Sequence, residues 1–320
     1  MIKAEIVAHS LSPQGDELIS VLYTFPRIIL AEVNTHRMLS KNTSSSRAIP
    51  FKKMVEAVQE NPFIPIAWQK QHSGMQGIEY FENTKQLTED WTTASKIALK
   101  EAKKLHDGAG ITKQLTNRLL EPFMWTTMLI TGSKEGWNNF FKLRNPVYEV
   151  GHNTFKSKKE VLDYYSDDPN FPELRRYSDL DWLKINKGQA EIHMMALAEC
   201  IYDAVNESTP KQLKAGEWHI PFEDKIPLFD KKNPDEEGLY WTIKAQEPAG
   251  RYSMPDDLSK REKEYKVKIS TAMSAHTSYT IVGGEAVKSY EKWIELHDKL
   301  IAYDPPHSSP MEHCARPPLS

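Results

Sequence analysis

The stretch from Glu32 to Arg47, EVNTHRMLSKNTSSSR, constrains this chain more than any other. It carries a His-Arg pair off a helix end into a run made almost wholly of hydroxyl and amide side chains. Ser, Thr and Asn hold tight turns by bonding their own backbone, which leaves N–H groups pointing outward as an anion-binding concavity. Arg37 and Arg47 flank the run, and their planar forks suit a phosphate better than lysines would. The bland alternative is an exposed polar connection with surface arginines, and the stretch alone leaves both readings open. Just before it, Glu17 to Phe25 (ELISVLYTF) has the β-branched and aromatic content of a strand, and Pro26 opens a helix with Ile29, Leu30 and Val33 as its apolar side. The hydroxyl run therefore follows a helix C-terminus, where Arg37 is also favourable to the dipole.

A chain of 320 residues can bury about three quarters of its unfolded surface, enough for a sizeable core without staples. The formal net charge of -3, with lysines and glutamates interspersed, argues against a general nucleic-acid or membrane-surface binder, so a basic site has to be local. Cys200 and Cys314 lie far apart and outside any CxxC pair, which disfavours a disulfide scaffold or a cysteine-only zinc site. Met1 to Ser10 lacks the basic start and apolar run of a signal peptide, and no window approaches a membrane span, so a cytoplasmic protein is expected.

Further along, Asp90 to Leu105 reads as a helix with Trp91, Ala94, Ile97, Ala98 and Leu105 toward the core, closed by Gly108. Helical pattern resumes at Thr112, and Pro122 predicts a break near Leu120 or Glu121, just after Arg118. A threonine-rich strand over 126–131 then leads to a helix headed by Ser133 and ending at Arg144 beside Pro146. Residues 145–187 show no clear period and read as an insertion. Gln189 to Val205 is a strong helix, with Ile192, Met195, Ala196, Ile201 and Val205 near one stripe and His193 a packed or surface residue. Residues 211–261 read as a second decorated insertion, and an amphipathic helix is predicted over 285–300. The tail contains His307, Glu312, His313 and Cys314, which keeps a zinc site as an alternative.

Taken together, the pieces resemble the flavin-dependent thymidylate synthases. That family's signature is RHR, seven residues and Ser; here Thr35-His36-Arg37, seven residues and Ser45 occupy it, with Arg47 following. Arg118 with Pro122, Asn139 through Arg144, and Gln189 to Ile192 resemble the family's R-x-x-x-P, N-F-L-x-L-R and A-Q-x-E-I segments. Ser274 to Tyr279 is similar to A-R-V-S-Y, and His307 to His313 to H-E-T-P-F-E-H. In the family those two pieces come first; here they come last, as in a circular permutation.

The resemblance implies a single α+β domain over residues 1–320, with a central mostly antiparallel sheet flanked by helices, circularly permuted and carrying the two insertions. It implies FAD as cofactor, NADPH and methylenetetrahydrofolate as co-substrates, a homotetramer with sites between subunits, and a pyrimidine deoxynucleoside monophosphate as substrate, with dUMP converted to dTMP. By position, His36, Arg37, Asn42, Ser133, Asn139, Ser309 and Glu312 would contact the flavin. Glu32, Ser45, Ser46, Arg47 and Arg118 would hold the nucleotide, and Arg144 would hold the pyrimidine ring as the catalytic electrostatic group, with Ser45 a binder rather than a nucleophile. No metal is implied.

The departures from the family pattern are Thr35 for its first arginine, Glu32 for a glutamine, Thr43 for a glutamate, and Ser133-Lys134-Glu135 for N-A-R. A carboxylate at position 32 would suit the amino group of cytosine, which brings in hydroxymethylation of dCMP or dUMP as the second reading. A flavin- and nucleotide-binding protein without turnover is the third.

Overall fold

The computed structural model describes residues 1–73, 77, 79–168 and 172–225, together with 266, 267, 270, 271, 273 and 274. Strands β1 (Lys3–Leu11) and β2 (Glu17–Pro26) form a hairpin, and β2 runs into a 3-10 turn and the short helix α1 (Leu30–Asn34). Strand β3 (Ser40–Thr43), helices α2 (Phe51–Glu60), α3 (Lys85–Lys103) and α4 (Lys113–Thr116), and a 3-10 stretch over Asn117–Phe123 lead to β4 (Trp125–Ser133). Helix α5 (Lys134–Arg144) is followed by the small hairpin of β5 (Tyr148–Val150) and β6 (Asn153–Phe155), then α6 (Lys158–Tyr164), α7 (Asp179–Ile185), α8 (Ile192–Glu207) and β7 (Lys211–Gln212).

The expected architecture is the one observed: a central sheet of order β3-β4-β2-β1-β7, antiparallel throughout except for the β1–β7 pair, with helices against it. β2 is central and buried on both faces, which is why its sequence is apolar almost without interruption. One face sends Ile19, Val21, Tyr23 and Phe25, with Met128 and Ile130 of β4, against α5 and α8. The other face is mixed. Val7, Leu22 and Leu129 meet Phe222 and Met273 there, while Ser20 and Thr131 bond each other and Ser20 also bonds the buried His219. β1 bulges at Val7, whose carbonyl accepts from Phe222 N at 2.8 Å, so the segment after β7 is stitched to this second face.

Two smaller cores flank the sheet. Ile49, Met54, Val55, Val58, Leu99, Leu120 and Phe123 join α2 and α3 to the 3-10 stretch before β4. Tyr148, Phe155, Val161, Leu174 and Trp182 form a separate cluster within 145–187, so the stretch without sequence period still builds a core of its own.

Several expectations are corrected. The hydroxyl run is not all loop, because Ser40–Thr43 pairs with β4 as an edge strand. α3 starts at Lys85 and buries Ser95, Leu99 and Ala102, whereas Ile97 and Leu105 are exposed. Helical structure after Thr112 is only α4 and the 3-10 stretch Asn117–Phe123, which holds Pro122 inside it, and β4 runs on through Gly132 to Ser133. The helix predicted over 285–300, most of the 211–261 insertion, and the tail with Ser309, Glu312 and its potential zinc ligands lie outside the described residues. The circular permutation is not tested by them.

Candidate active site

The end of α1 and the end of α5 meet at His36. The α1 turn is closed by Thr35, whose N and Oγ1 both donate to Glu32 O, at 3.1 and 2.6 Å. α5 begins at Ser133, whose hydroxyl accepts from Gly136 N at 3.2 Å as an N-cap. Gly136 lets the helix come close: a Cβ there would lie 3.1 Å from Met38 O. Further along, Phe140 and Arg144 are four residues apart and so share a helix face. Phe140 packs edge-on against the buried His36 ring at 4.8 Å, and Arg144 Nε donates to His36 Nε2 at 3.0 Å. Arg144 Nη2 also reaches Thr35 Oγ1 at 3.4 Å, and Lys41 Nζ donates to His36 O.

Burial first, then the Arg144 and Lys41 charges, lowers the His36 pKa to about 4. The imidazole is therefore neutral at neutral pH, as it must be to accept a hydrogen bond from a guanidinium, and its own proton sits on Nδ1. Arg144 is thus oriented by two neutral acceptors.

Glu32 lies on the same surface, half-buried, and its carboxyl makes no hydrogen bond among the described residues. Burial and the neighbouring Glu191 push its pKa up, against the pull of Arg144 and His193. Glu191 is itself well occupied. Its Oε2 accepts from His193 N (2.8 Å) and Met194 N (3.0 Å) as the N-cap of α8, and its Oε1 lies 2.6 Å from His193 Nδ1. His193 Nε2 accepts from Ile66 N at 3.1 Å, so its ring proton sits on Nδ1 and points at Glu191. His193 is a packed residue, 5.1 Å from the Phe63 ring.

The hydroxyl run after β3 gathers round a second charge centre. Ser44 bonds Thr126 Oγ1 (2.8 Å) and continues the β4 ladder through its N–H. Arg27 donates to Ser44 O (2.9 Å) and pairs with Glu121 (3.4 Å), and Ser46 Oγ donates to the same Glu121 oxygen at 2.6 Å. Asn117 Nδ2 bonds Ser46 O and Ile49 O, at 2.6 and 3.1 Å, so the buried Ser46 is held in the turn. Ser45 is half-buried at its top, and Arg47 and Arg118 are exposed with no hydrogen bond or ion pair among the described residues. Arg118 is near enough to Arg27 for their charges to repel.

The structure thus brings Glu32, His36 and Arg144 together and sets Ser45, Ser46 and Arg47 above Arg27 and Glu121. Arg37 and Asn139 are exposed beside His36 and Phe140 respectively, and Asn42 Nδ2 donates to Ser274 O at 2.5 Å. Sequence reasoning missed Glu191 and His193 as partners of Glu32, and Arg27, Asn117 and Glu121 as the frame of the hydroxyl turn. The signal for Arg27 was an arginine directly after Pro26; the others needed the fold.

No protein-family model matches the chain, and neither does any curated protein. Among solved structures, the chain is similar to a UMP/dUMP methylase PolB from Streptomyces cacaoi bound with 5-Br UMP, at 15% identity and a TM-score of 0.42 over 65% of this chain and 89% of that one. It is also similar to thymidylate synthase X from Helicobacter pylori with FAD and dUMP, at 15% identity and a TM-score of 0.34 over 59% of this chain and 67% of that one. No helix among the described residues is long and apolar enough to cross a membrane.

Proposed function

We propose that this chain transfers a one-carbon unit to C5 of a pyrimidine deoxynucleoside monophosphate, with FAD as cofactor and NADPH and methylenetetrahydrofolate as co-substrates. The observation that carries the reading is Arg144, a guanidinium oriented by His36 and Thr35 yet without a carboxylate bonded to it among the described residues. Set over a pyrimidine, that charge favours electron density on the ring and hence attack by C5, which is fixed electrostatic catalysis. dUMP is the nucleotide the motif resemblance implies, with dTMP as product; hydroxymethylation of dCMP or dUMP is the second reading.

The donors present suit both ligands. Arg47 and Arg118, exposed and unpaired among the described residues, are the cations for the nucleotide phosphate, with Ser45 two residues before Arg47 in the same turn. Arg37 and Asn139, exposed and also without a bonded side-chain partner among the described residues, would contact the flavin. Ser46, Asn42 and Ser133 serve through the turn, the strand and the helix cap they hold, and Ser309 and Glu312 are proposed to complete the pocket. When bound, the flavin supplies the hydride chemistry, and the chain supplies orientation and charge.

The Asn42–Ser274 bond sets Ser274 beside β3, and a circularly permuted chain is part of the proposal. A homotetramer with sites between subunits, and residence in the cytoplasm, complete the proposal. An absorbance spectrum of the purified protein, followed by mass analysis of nucleotide products, tests it. Yellow protein that alkylates the pyrimidine at C5 is expected; colourless protein with stoichiometric zinc, or flavin that stays reduced with folate and nucleotide present, rejects it.

A further inference from the structure

Glu32, which the resemblance sets among the residues holding the nucleotide, is the carboxyl at this junction to which the proposed chemistry gives no contact of its own. Its neighbours show why that matters. Arg144 at the end of α5 has two bonded neutral acceptors, Glu191 at the start of α8 has two backbone donors and His193, and His193 has Ile66 N. The Glu32 carboxyl, which feels the charges of all three, has no hydrogen bond of its own among the described residues, and it sits one helical turn before the Thr35 and His36 that orient Arg144. A half-buried carboxyl without a partner beside an oriented guanidinium is a ready-made pair of hydrogen-bonding groups for a flat heterocycle.

We propose that Glu32 selects the base, accepting a hydrogen bond from the 4-amino group of a cytosine ring while Arg144 donates to its O2, so that deoxycytidylate is bound in preference to deoxyuridylate. This deepens the proposed function and rests on it. An ionised carboxylate only accepts hydrogen bonds. Cytosine presents a donor at C4, its amino group; uracil presents the O4 carbonyl there, whose lone pairs face the carboxylate without compensation. A protonated carboxyl, like a glutamine, carries a donor as well and so serves O4 too. Burial and the Glu191 charge push the Glu32 pKa up, so the selection weakens as the pH falls.

The test is nucleotide binding to the flavin-loaded protein, followed by titration with dCMP and dUMP between pH 6 and 8, in the wild type and in Glu32→Gln. The expected result is at least tenfold tighter binding of dCMP than dUMP near pH 8, with the preference narrowing as the pH falls. Glu32→Gln, which carries both a donor and an acceptor, should abolish the pH dependence and shift the ratio toward dUMP by about tenfold. Equal or tighter binding of dUMP by the wild type, or an unchanged ratio in Glu32→Gln, overturns the assignment of Glu32 and leaves the flavin reading intact. Failure of both nucleotides to bind overturns the two together. If Glu32→Gln does not fold, the wild-type pH profile decides alone, because a merely structural carboxyl would not make the choice of base follow its ionisation.

Discussion

Two arginines mark the two halves of the site, and their surroundings differ. Arg27 is mostly buried, pairs with Glu121 at 3.4 Å and donates to Ser44 O, so its charge is neutralised within the fold. Arg144 is half-buried and bonded to the neutral His36 ring and the Thr35 hydroxyl. The first arrangement builds a turn; the second holds a cation in place without a bonded carboxylate among the described residues, which leaves it open to the ligand proposed above.

The largest expected effect breaks the comparison at Arg144. Arg144→Ala should lower one-carbon transfer by roughly a hundredfold to a thousandfold, the range for removing one preorganised charge-stabilising group, while the flavin spectrum of the purified protein is retained. Steady-state turnover and the absorbance spectrum of the same preparation check this; undiminished turnover would show that Arg144 is only a helix-terminal residue.

Next in size is the Arg27 side. Glu121→Ala leaves the Arg27 guanidinium without its carboxylate and the Ser46 hydroxyl without its acceptor. The loss of hydrogen bonds to a charged, partly buried group should cost about 2–3 kcal/mol of unfolding free energy. Urea denaturation reads this directly, and Arg144→Ala measured alongside should lose less. Equal losses would erase the distinction between the two centres.

The third prediction sharpens the comparison through pH. His36 holds a pKa of about 4 in the folded state against 6.5 for an ordinary histidine, so between these values the unfolded chain binds more protons than the folded one. Stability from this group is complete above pH 6.5 and is lost as the pH falls toward 4. With the solvent-facing edge of the ring screened, the loss amounts to about 1–2 kcal/mol. Glu32, pushed up, works with the opposite sign near its own titration, as do Glu199 and Asp203, so the difference between wild type and His36→Asn isolates the histidine. Denaturant midpoints of both proteins from about pH 4 to 7 should diverge as described. Parallel curves would mean that His36 is not held neutral by its surroundings.

How far the sequence disclosed all this depends on how local each signal was. The β2 strand was readable to within a residue because both its faces are buried, and α8 because its apolar content outlasts several turns. β3 was not, since Ser40–Thr43 has no apolar alternation and is a strand only because β4 offers it a partner, a tertiary cause. α3 misled in phase: it packs through Ser95, Leu99 and Ala102, and the small Ser95 and Ala102 let α3 approach, so the larger Ile97 falls on the solvent side at 58% exposed. In 145–187 the elements run three to seven residues, too short to show a period. The same division holds in the candidate site. The motif spacing singled out His36 and Arg144, which the fold brings into contact, whereas Glu191 near Glu32 and Glu121 beside Arg27 join positions 159 and 94 residues apart, which only the folded chain brings together.

The smallest effect separates two roles for Ser133. Its hydroxyl accepts from Gly136 N and so satisfies one of the amide groups left open at the start of α5. Removing it in Ser133→Ala should cost about 1 kcal/mol of stability, and because α5 carries both Phe140 and Arg144, a loosened first turn should also weaken nucleotide binding slightly. Ser133→Asp restores a capping oxygen and adds a negative charge that the helix dipole favours, so stability should return to the wild-type level. Flavin affinity then discriminates. If Ser133 acts only as a cap, the aspartate variant binds FAD as the wild type does; if the hydroxyl also touches the cofactor, the new carboxylate faces an anionic ligand and affinity falls while stability holds. Fluorescence titration of FAD into the two variants, set against their urea midpoints, separates the alternatives, because a missing helix cap lowers the midpoint whereas a missing hydrogen bond to the cofactor weakens only the binding.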